Sequence, residues 1–342
     1  MTFYFIRRFL LIIPTFFGIT LITFLILQIV PGGPLEMEIM KIRMGGQKGS
    51  ESGSNSGSTQ NIPQSAIDEL KKFYGFDKPI HERYIIWVTH LLKFDLGRSY
   101  VYSEPVWDVI KSRFPVSIYF GLIGFILTYL VCVPLGVYKA VKNGSVFDFI
   151  SSSLVFIGYS IPGFAFGALM LVLFGGGSFW SVFPLGGFRS DSWDDLSFSS
   201  KIWDQLRHTF LPVLAYMIGS FATLTILTKN TVIDNLGQDY IRTAFSKGIS
   251  EKRVIFGHAL RNSMIPIATG LGHFISLVLA GSFLIEKVFN INGMGLLGYT
   301  SIVQRDYPVV MGILVISTLL LLIGNILSDM IYAMVDPRIR FN

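Results

Sequence analysis

The chain has 342 residues, of which 51% are hydrophobic and 15% are charged, and its mean hydropathy is +0.56. This composition is too apolar for a soluble globular protein and predicts a chain that lies mostly in lipid. The formal net charge of +6 would suggest nucleic acid in a soluble protein, but here the position of each charge matters more, and we predict no nucleic-acid partner.

Six long runs of uncharged residues predict six transmembrane helices. A spanning helix needs about 20 apolar residues, because a hydrocarbon core about 30 Å thick is crossed at about 1.5 Å per residue. The runs are 10–30, 114–138, 149–177, 209–228, 262–285 and 307–328. We therefore expect an all-α polytopic membrane protein in which each run spans once.

The first span belongs to an N-terminal segment, 1–30. Its apolar run is longer than the core of a secretory signal, about 7 to 15 residues, and no small-residue cleavage site follows Val30. We interpret it as a retained signal anchor.

Basic residues are distributed unevenly between the short loops. If the N-terminus is cytoplasmic, twelve basic residues fall inside and five fall in the short outer loops, which the positive-inside rule favours. The inner residues are Arg7, Arg8, Lys139, Lys142, Lys229, Arg242, Lys247, Lys252, Arg253, Arg261, Arg338 and Arg340; the outer residues are Arg189, Lys201, Arg207, Lys287 and Arg305. The rule excludes long translocated segments such as 31–113. We predict a multi-pass protein with both termini in the cytoplasm.

Residues 31–113 are predicted to form an extracytoplasmic loop subdomain. Within it, residues 45–61 are rich in Gly and Ser and have nothing to bury, so they predict a disordered linker. After Pro63, the apolar spacing predicts two short amphipathic helices near the outer membrane surface. Their apolar residues are Ile67, Leu70 and Phe73 in the first, and Ile85, Val88 and Leu92 in the second.

The longest cytoplasmic segment, 234–267, is too polar to enter lipid and predicts two helices. The first ends at Gly248, which permits a sharp turn, and the second begins near Ser250. The residues predicted to form apolar faces are Tyr240, Ala244 and Phe245 in the first helix and Val254, Ile255 and Leu260 in the second.

This segment resembles the ATPase-coupling loop of permease subunits in binding-protein-dependent ABC importers, most closely that of peptide and nickel permeases. In the general pattern, Glu-Ala-Ala is followed after three residues by Gly and later by Leu-Pro. The corresponding residues here are Arg242, Thr243, Ala244, Gly248, Leu260 and Arg261, with proline at Pro266. These departures from the general pattern are typical of the peptide branch. The resemblance therefore implies the coupling role for this loop, but it implies no role for the Glu that is missing here.

The resemblance assigns ATPase coupling to residues within a coupling loop at 234–262. They are Asp239, Tyr240, Arg242, Thr243, Ala244, Lys247, Gly248, Arg253, His258 and Arg261. On spacing alone, the segment would be interpreted as an ordinary basic cytoplasmic loop that satisfies the positive-inside rule.

Further motifs extend the resemblance over nearly the whole chain. They are Arg7-Arg8, residues 28–34 (QIVPGGP), 74–79 (YGFDKP), 95–99 (DLGRS), 286–289 (EKVF), 305–308 (RDYP) and 336–339 (DPRI). The resemblance implies a type I ABC importer permease with a five-helix core at 114–334 and a cytoplasmic tail at 335–342. The Pro-Gly-Gly-Pro sequence and the long insert after it look most like the microcin C and oligopeptide permease subgroup.

The resemblance also implies partners and an energy source. The chain has no Gly-x4-Gly-Lys-Ser/Thr phosphate loop, so we expect ATP and Mg to bind to separate ATPase subunits. A second homologous permease subunit, an extracytoplasmic peptide-binding protein, a peptide substrate and membrane lipid are the other expected partners. We expect ATP-driven peptide import across the cell inner membrane, with microcin C, nickel and glutathione left open as cargoes.

No catalytic, cofactor or metal site is predicted. Cys132 is the only cysteine, which rules out a disulfide or a cysteine metal site within one chain, and no His-Glu-x-x-His occurs.

Two other classes remain open from the residues alone: an intramembrane enzyme and a secondary transporter. Both would need ionisable groups within the membrane, and the candidates are His273, Glu286 and Asp329. Spans two and five are expected to line much of the pathway, with His273 and Ser276 as candidate lining residues. The interpretation favoured for His273 is a neutral side chain bonded to a neighbouring helix, since nearby glycines allow close approach, with pore lining as the alternative.

Overall fold

We describe the chain from a computed structural model that covers residues 2–45, 63–73, 75–176, 179–264, 266–267 and 281–335. The regular elements of these ranges are helices, and their β-pairing is limited to isolated bridges. The predicted all-α polytopic membrane fold is confirmed.

Thirteen α-helices occur within the described ranges. They are α1 (Thr2–Ile29), α2 (Pro34–Gly45), α3 (Gln64–Phe73), α4 (Ile80–Leu91), α5 (Val106–Val141), α6 (Val146–Ser160), α7 (Gly163–Phe174), α8 (Phe198–Leu236), α9 (Asp239–Ser246), α10 (Glu251–Val254), α11 (Phe283–Val288), α12 (Met294–Val303) and α13 (Tyr307–Val335). A 3-10 turn covers Trp193–Asp195, and a π-helical turn, Ile255–Ala259, follows α10.

Four described helices, α1, α5, α8 and α13, are long and apolar enough to cross a membrane, and the number rises to five if α6 and α7 count as one span. They coincide with the first, second, fourth and sixth predicted runs, apart from Val30, which follows the end of α1. The fifth run, 262–285, lies largely outside the described residues. The structure therefore confirms several spans but does not reproduce all six.

The third predicted run, 149–177, is not one continuous helix. The axes of α6 and α7 differ by 96°. The break lies at Ile161, which has an extended backbone (φ −101°, ψ 120°), and Pro162 follows it. Proline disfavours the helical conformation of the residue before it and supplies no N–H for a helical hydrogen bond. The run was predicted to span once, and in the structure it is a bent helix pair that amounts to one span only if α6 and α7 are taken together.

Two compact units are formed by the described residues. One comprises the described parts of 1–10, 113–297 and 319–342, and is called the core unit. The other comprises the described parts of 11–112 together with 298–318, and is called the outer unit.

The core unit is held together by close helix packing. A Cβ atom added to Gly136 on α5 would lie 2.6 Å from Thr228 Cβ on α8, and one added to Gly163 on α7 would lie 2.6 Å from the Ala215 carbonyl oxygen. Absence of a side chain at these positions lets the helices approach closely, as is common in membrane helix interfaces. A buried cluster that includes Phe120, Leu211 and Phe289 lies alongside.

After Pro63 the outer unit contains two short helices, α3 and α4, as predicted, and a further short helix, α2, lies before the predicted linker. The predicted linker at 45–61 lies outside the described residues except for Gly45, which ends α2. Tyr84 on α4 shares a hydrogen bond with Thr20 on α1 (3.0 Å). The buried Asp306 carboxylate accepts hydrogen bonds from the Ser99 hydroxyl and the Tyr100 N–H. These polar contacts fix the segment after α4 against the start of α13.

Candidate coupling loop and transport cavity

The predicted turn at Gly248 closes α9 in a defined way. The Gly248 N–H donates to the Phe245 carbonyl oxygen (2.9 Å), and the Ile249 N–H donates to that of Ala244 (3.3 Å). These two bonds form a Schellman motif, which satisfies free carbonyls at a helix end and places its C′ residue in the left-handed region. Gly248 has φ +74°, so this position needs glycine for its backbone conformation.

The buried face of α9 differs from the one predicted. Ile241 and Ala244 are buried and cluster with Val254 and Ala259, whereas Tyr240 and Phe245 are exposed. The predicted face of Tyr240, Ala244 and Phe245 was therefore wrong for its two aromatic residues. They lie on the outer surface of the loop.

The second half of the loop packs against the ends of two long helices. Ile255 joins a buried cluster with Val137 of α5 and Val232 of α8. The Ser263 hydroxyl donates to the Thr231 carbonyl oxygen (3.0 Å) and accepts a hydrogen bond from the Asn235 side-chain amide (3.1 Å). These contacts connect the second half of the loop to the last turns of α5 and α8.

Nine of the ten residues predicted to couple to an ATPase are exposed, and Ala244 is buried. Asp239 and Arg242 form an ion pair (3.6 Å) on the surface of α9. The Tyr240 hydroxyl donates to Asn235 Oδ1 (2.7 Å). The loop thus presents a short, mostly polar outer face on a buried apolar base. The exposed members are Asp239, Tyr240, Arg242, Thr243, Lys247, Gly248, Arg253, His258 and Arg261.

A buried ionic cluster that sequence reasoning missed joins α5, α6 and α8. Asp148 pairs with Lys229 (2.7 Å) and with Lys139 (3.3 Å). The Lys139 ammonium also donates to the hydroxyls of Ser151 and Ser152, each at 2.7 Å. The available signal was Asp148 itself, an acid beside an apolar run and one helical turn before two serines.

A cavity of about 670 Å³ lies in the core unit, within the usual range for small-molecule sites. Its wall includes Thr128 on α5, Phe164 on α7 and Ser220 on α8. None of its described lining residues carries a charge, and several are glycines or hydroxyl residues. Such a wall offers weak, uncharged hydrogen-bonding groups rather than a tight ionic site.

One wall of this cavity is supported by Glu286, which is buried. Its carboxylate accepts hydrogen bonds from the N–H groups of Ser282 (3.3 Å), Gly295 (3.3 Å) and Leu296 (2.6 Å). The last two belong to the first turn of α12, whose free N–H groups and positive dipole end favour a negative charge. A Cβ atom on Gly293 would lie 2.7 Å from Glu286 Cδ, so glycine leaves room for the carboxylate.

Two of the three ionisable residues that a secondary transporter or an intramembrane enzyme could use have structural partners. Glu286 serves as the helix cap, and Asp329 forms an ion pair with Arg8. His273 and Ser276 lie outside the described residues.

Comparison with known proteins identifies the family. Residues 132–341 match the family described as "Binding-protein-dependent transport system inner membrane component". The chain belongs to this family. The permease is 46% identical to the "Inner membrane ABC transporter permease protein YejB" of Escherichia coli O157:H7, over 99% of this chain and 98% of the relative.

Two further relatives cover the permease equally well. It is 42% identical to the "Peptidoglycan transport system permease protein YejB" of Agrobacterium fabrum strain C58, over 99% of this chain and 98% of the relative. It is 34% identical to the "Oligopeptide transport system permease protein AppB" of Bacillus subtilis strain 168, over 99% of each chain.

Family membership confirms the main predictions. The permease is a multi-pass inner-membrane subunit of a peptide ABC transporter and is not an enzyme. Membership implies an ATPase and a substrate-binding protein as partners. The secondary transporter and the intramembrane enzyme are therefore rejected.

Proposed function

We propose that α9 and the turn at Gly248 dock on a separate ATPase subunit and transmit its motion to the membrane helices. The observation that supports this is the loop's construction: a polar outer face on a short helix whose inner residues, Ile241 and Ala244, are buried. A short helix held in this way can follow the rigid-body motion of a partner. ATP and Mg bind to the partner in this proposal, and this chain performs no covalent chemistry.

Within the core unit, motion at α9 has a physical route to the long helices. The loop packs on the ends of α5 and α8 through Val137 and Val232, and the Asp148 cluster joins those helices to α6. A shift of the loop would therefore move several helices together. The cavity of about 670 Å³ lies between α5, α7 and α8, where such a shift would change its shape.

The complete pathway requires more than this chain. We propose that a second, homologous permease subunit completes the pore and that a peptide-binding protein docks on the outer face. Both termini lie in the cytoplasm in this arrangement, as the positive-inside rule favours.

For the cargo, we propose oligopeptides and peptide antibiotics of the microcin C type. The uncharged wall of the cavity suits a ligand whose peptide groups recur while its side chains vary. A second candidate is a peptidoglycan-derived peptide, because one relative at 42% identity carries that transport name. Competition among these three peptide classes for ATP-driven uptake, in vesicles that contain the assembled transporter, would rank them.

Gly248→Val tests the coupling role. Gly248 has φ +74° and no atom within 4 Å of an added Cβ, so valine would cause backbone strain, ~1 to 3 kcal/mol, rather than a clash. We expect the variant to insert normally but to lose ATPase association or ATP-driven uptake. The measurements are subunit co-purification and peptide uptake in reconstituted vesicles.

Gly257→Val is the matched control. Gly257 lies in the π-helical turn without a positive φ, and an added Cβ would meet only Arg253 Cγ at 3.9 Å. The control should retain ATPase binding and uptake. Wild-type ATPase binding together with wild-type uptake in Gly248→Val would disprove the coupling assignment.

A further inference from the structure

A loop of the core unit, residues 182–190, is held to the first turns of α8 by side chains of that helix. We call it the outer loop, because the positive-inside rule favours the outer side of the membrane for it. Gln205 Nε2 donates to the Phe188 carbonyl oxygen (3.0 Å), and Arg207 Nε donates to that of Val182 (3.1 Å). These bonds hold the loop by its backbone.

The hydrogen bonds around His208, which is buried on α8, require a proton on each ring nitrogen. Nδ1 lies 3.1 Å from the Gly187 carbonyl oxygen, which can only accept, so Nδ1 carries a proton. Nε2 lies 3.2 Å from Ser190 Oγ and 3.6 Å from Asp204 Oδ1. The Ser190 hydroxyl donates its hydrogen to the Asp204 carboxylate, so its oxygen faces Nε2 as an acceptor. The arrangement is complete only with a second proton on Nε2, which makes the ring an imidazolium.

Loss of that proton would weaken the attachment of the loop. A neutral ring would turn the Nε2 lone pair to Ser190, and the single hydroxyl hydrogen would then serve either His208 or Asp204 but not both. The side chains of His208 and Asp204 are 5% and 17% exposed, so water is a poor substitute for the lost bond. The cluster would lose a hydrogen bond and the attraction between His208 and Asp204 together.

The charged groups of α8 and of the loop are compatible with a charged ring. Asp204 lies one helical turn before His208 and interacts electrostatically with it. Three basic side chains nearby are turned to other partners, two carbonyl oxygens and an indole ring; they are Lys201, Arg207 and Arg189. The acids that follow the loop are exposed; they are Asp191, Asp194 and Asp195. Asp204 is therefore the counter-ion of His208.

The helices packed around the loop contribute other ionisable groups. On α5, the Tyr119 hydroxyl shares a hydrogen bond with Thr209 Oγ1 (2.8 Å). The sequence of α7 contains no ionisable residue. On α11, Glu286 is bonded to the first turn of α12, and Lys287 is exposed. The protonation of His208 thus depends mainly on Asp204 and Ser190.

The outer loop supports the wall of the transport cavity. The Gly187 N–H donates to the Phe289 carbonyl oxygen (2.8 Å), and a Cβ atom added to Gly186 would clash with the same oxygen. Phe289 follows α11 and shares a buried cluster with Ile285, which lines the cavity of about 670 Å³. Because His208 bonds to the carbonyl oxygen of Gly187, one loop residue connects the ring to the chain behind the cavity wall.

We propose that His208 is a positioning residue for peptide transport, whose doubly protonated ring holds the outer loop against the end of α11 and thereby favours uptake at acidic external pH. Histidine is the side chain that ordinarily changes charge between about pH 5 and 8. The charged form makes the bonds, so the loop is held most firmly at the acidic end of this range and loosens as the pH rises. The effect on uptake rests on the peptide pathway proposed above, whereas the attachment of the loop does not.

Hydrogen exchange tests the attachment in the complete transporter, purified in mild detergent. The protection factors of the Gly187 and Ser190 amides are compared at about pH 6 and about pH 8. We expect wild-type protection to be about tenfold lower at the higher pH, since a hydrogen bond to a charged group is worth about that factor or more. His208→Gln keeps a polar side chain without a charge to lose, so its protection should be the same at both pH values.

His81→Gln is the matched control, because His81 is an exposed histidine on α4. Its loop protection should respond to pH as the wild type does. Uptake is then measured in vesicles that hold ATP and a fixed internal pH, with the peptide-binding protein and trialanine outside. Both variants share this binding protein and peptide, so pH effects on those components cancel in the ratio of their uptake rates. We expect the ratio of His208→Gln uptake to His81→Gln uptake to rise with external pH.

Equal protection of the wild-type loop at both pH values would overturn the proposal, and this measurement needs no variant. So would a wild-type pH response in His208→Gln. A loop that responds to pH while the uptake ratio stays constant would show that the loop does not position the cavity wall for transport. Failure of the coupling role proposed for α9 would instead abolish ATP-driven uptake at every pH and leave the response of the loop amides, so the two failures are distinguishable.

Discussion

Two buried carboxylates of the core unit, Glu286 and Asp148, are held by partners on other parts of the chain. Glu286 obtains its partners from backbone N–H groups at the start of α12, and Asp148 obtains them from two lysines. In the sequence, both acids stand near the ends of apolar runs, where a solvated position explains them equally well. Sequence spacing could not reveal them because their partners lie on other helices, up to 81 residues away in the case of Asp148 and Lys229.

Asp148→Asn is predicted to destabilise the permease. It would leave Lys139 and Lys229 without their counter-ion, and removing one partner of a buried ion pair typically costs about 3 to 5 kcal/mol. The measurement is thermal unfolding of the purified transporter. Asp148→Asn combined with Lys229→Met should recover part of the loss, because the second change removes an uncompensated charge.

The control for this pair is Asp234→Asn, which changes an exposed acid near the end of α8. It should unfold at the wild-type temperature. If Asp148→Asn did the same, the three charged groups would not act as a stabilising unit.

At the scale of elements, the helix–turn–helix of the coupling loop could be predicted, and its buried face could not. Gly248 marked the turn correctly because a Schellman end needs a left-handed residue. The face was wrong because Tyr240, Ile241, Ala244 and Phe245 are all apolar or partly apolar over two helical turns. Which of these residues are buried depends on Val254 and Ala259 in the other half of the loop, which pack against Ile241.

Ile241→Ser and Phe245→Ser are predicted to act differently. Ile241 is 1% exposed, so serine would remove buried apolar contacts and loosen α9 by about 2 to 4 kcal/mol, whereas Phe245 is 46% exposed. Hydrogen exchange of the α9 amides should rise strongly in Ile241→Ser and little in Phe245→Ser. Phe245→Ser should instead weaken ATPase co-purification, if the exposed face docks as proposed. Equal amide protection in both variants would contradict the assigned buried face.

At the scale of the whole molecule, composition and run length predicted the membrane class and most of the spans. Length alone did not predict the bend between α6 and α7, although Pro162 gave a visible signal. An uncharged run shows that a segment tolerates lipid, but a continuous helix also needs backbone hydrogen bonds that proline interrupts. The orientation of the chain rests on loop charges and remains a prediction.

Tags after Asn342 and within residues 53–58 are predicted to report opposite sides of the membrane. Both positions lie outside the described residues, so the expectation comes from the twelve inner and five outer basic residues. A membrane-impermeant cysteine reagent, applied to intact spheroplasts of a Cys132→Ser background, should label a cysteine at position 55 and leave one at position 342 unlabelled. Permeabilised cells should label both, which controls for accessibility. Labelling at position 342 in intact spheroplasts would show that the predicted orientation is wrong. The α9 loop would then lie on the side of the membrane without ATP, and the proposed coupling role would be disproved as well.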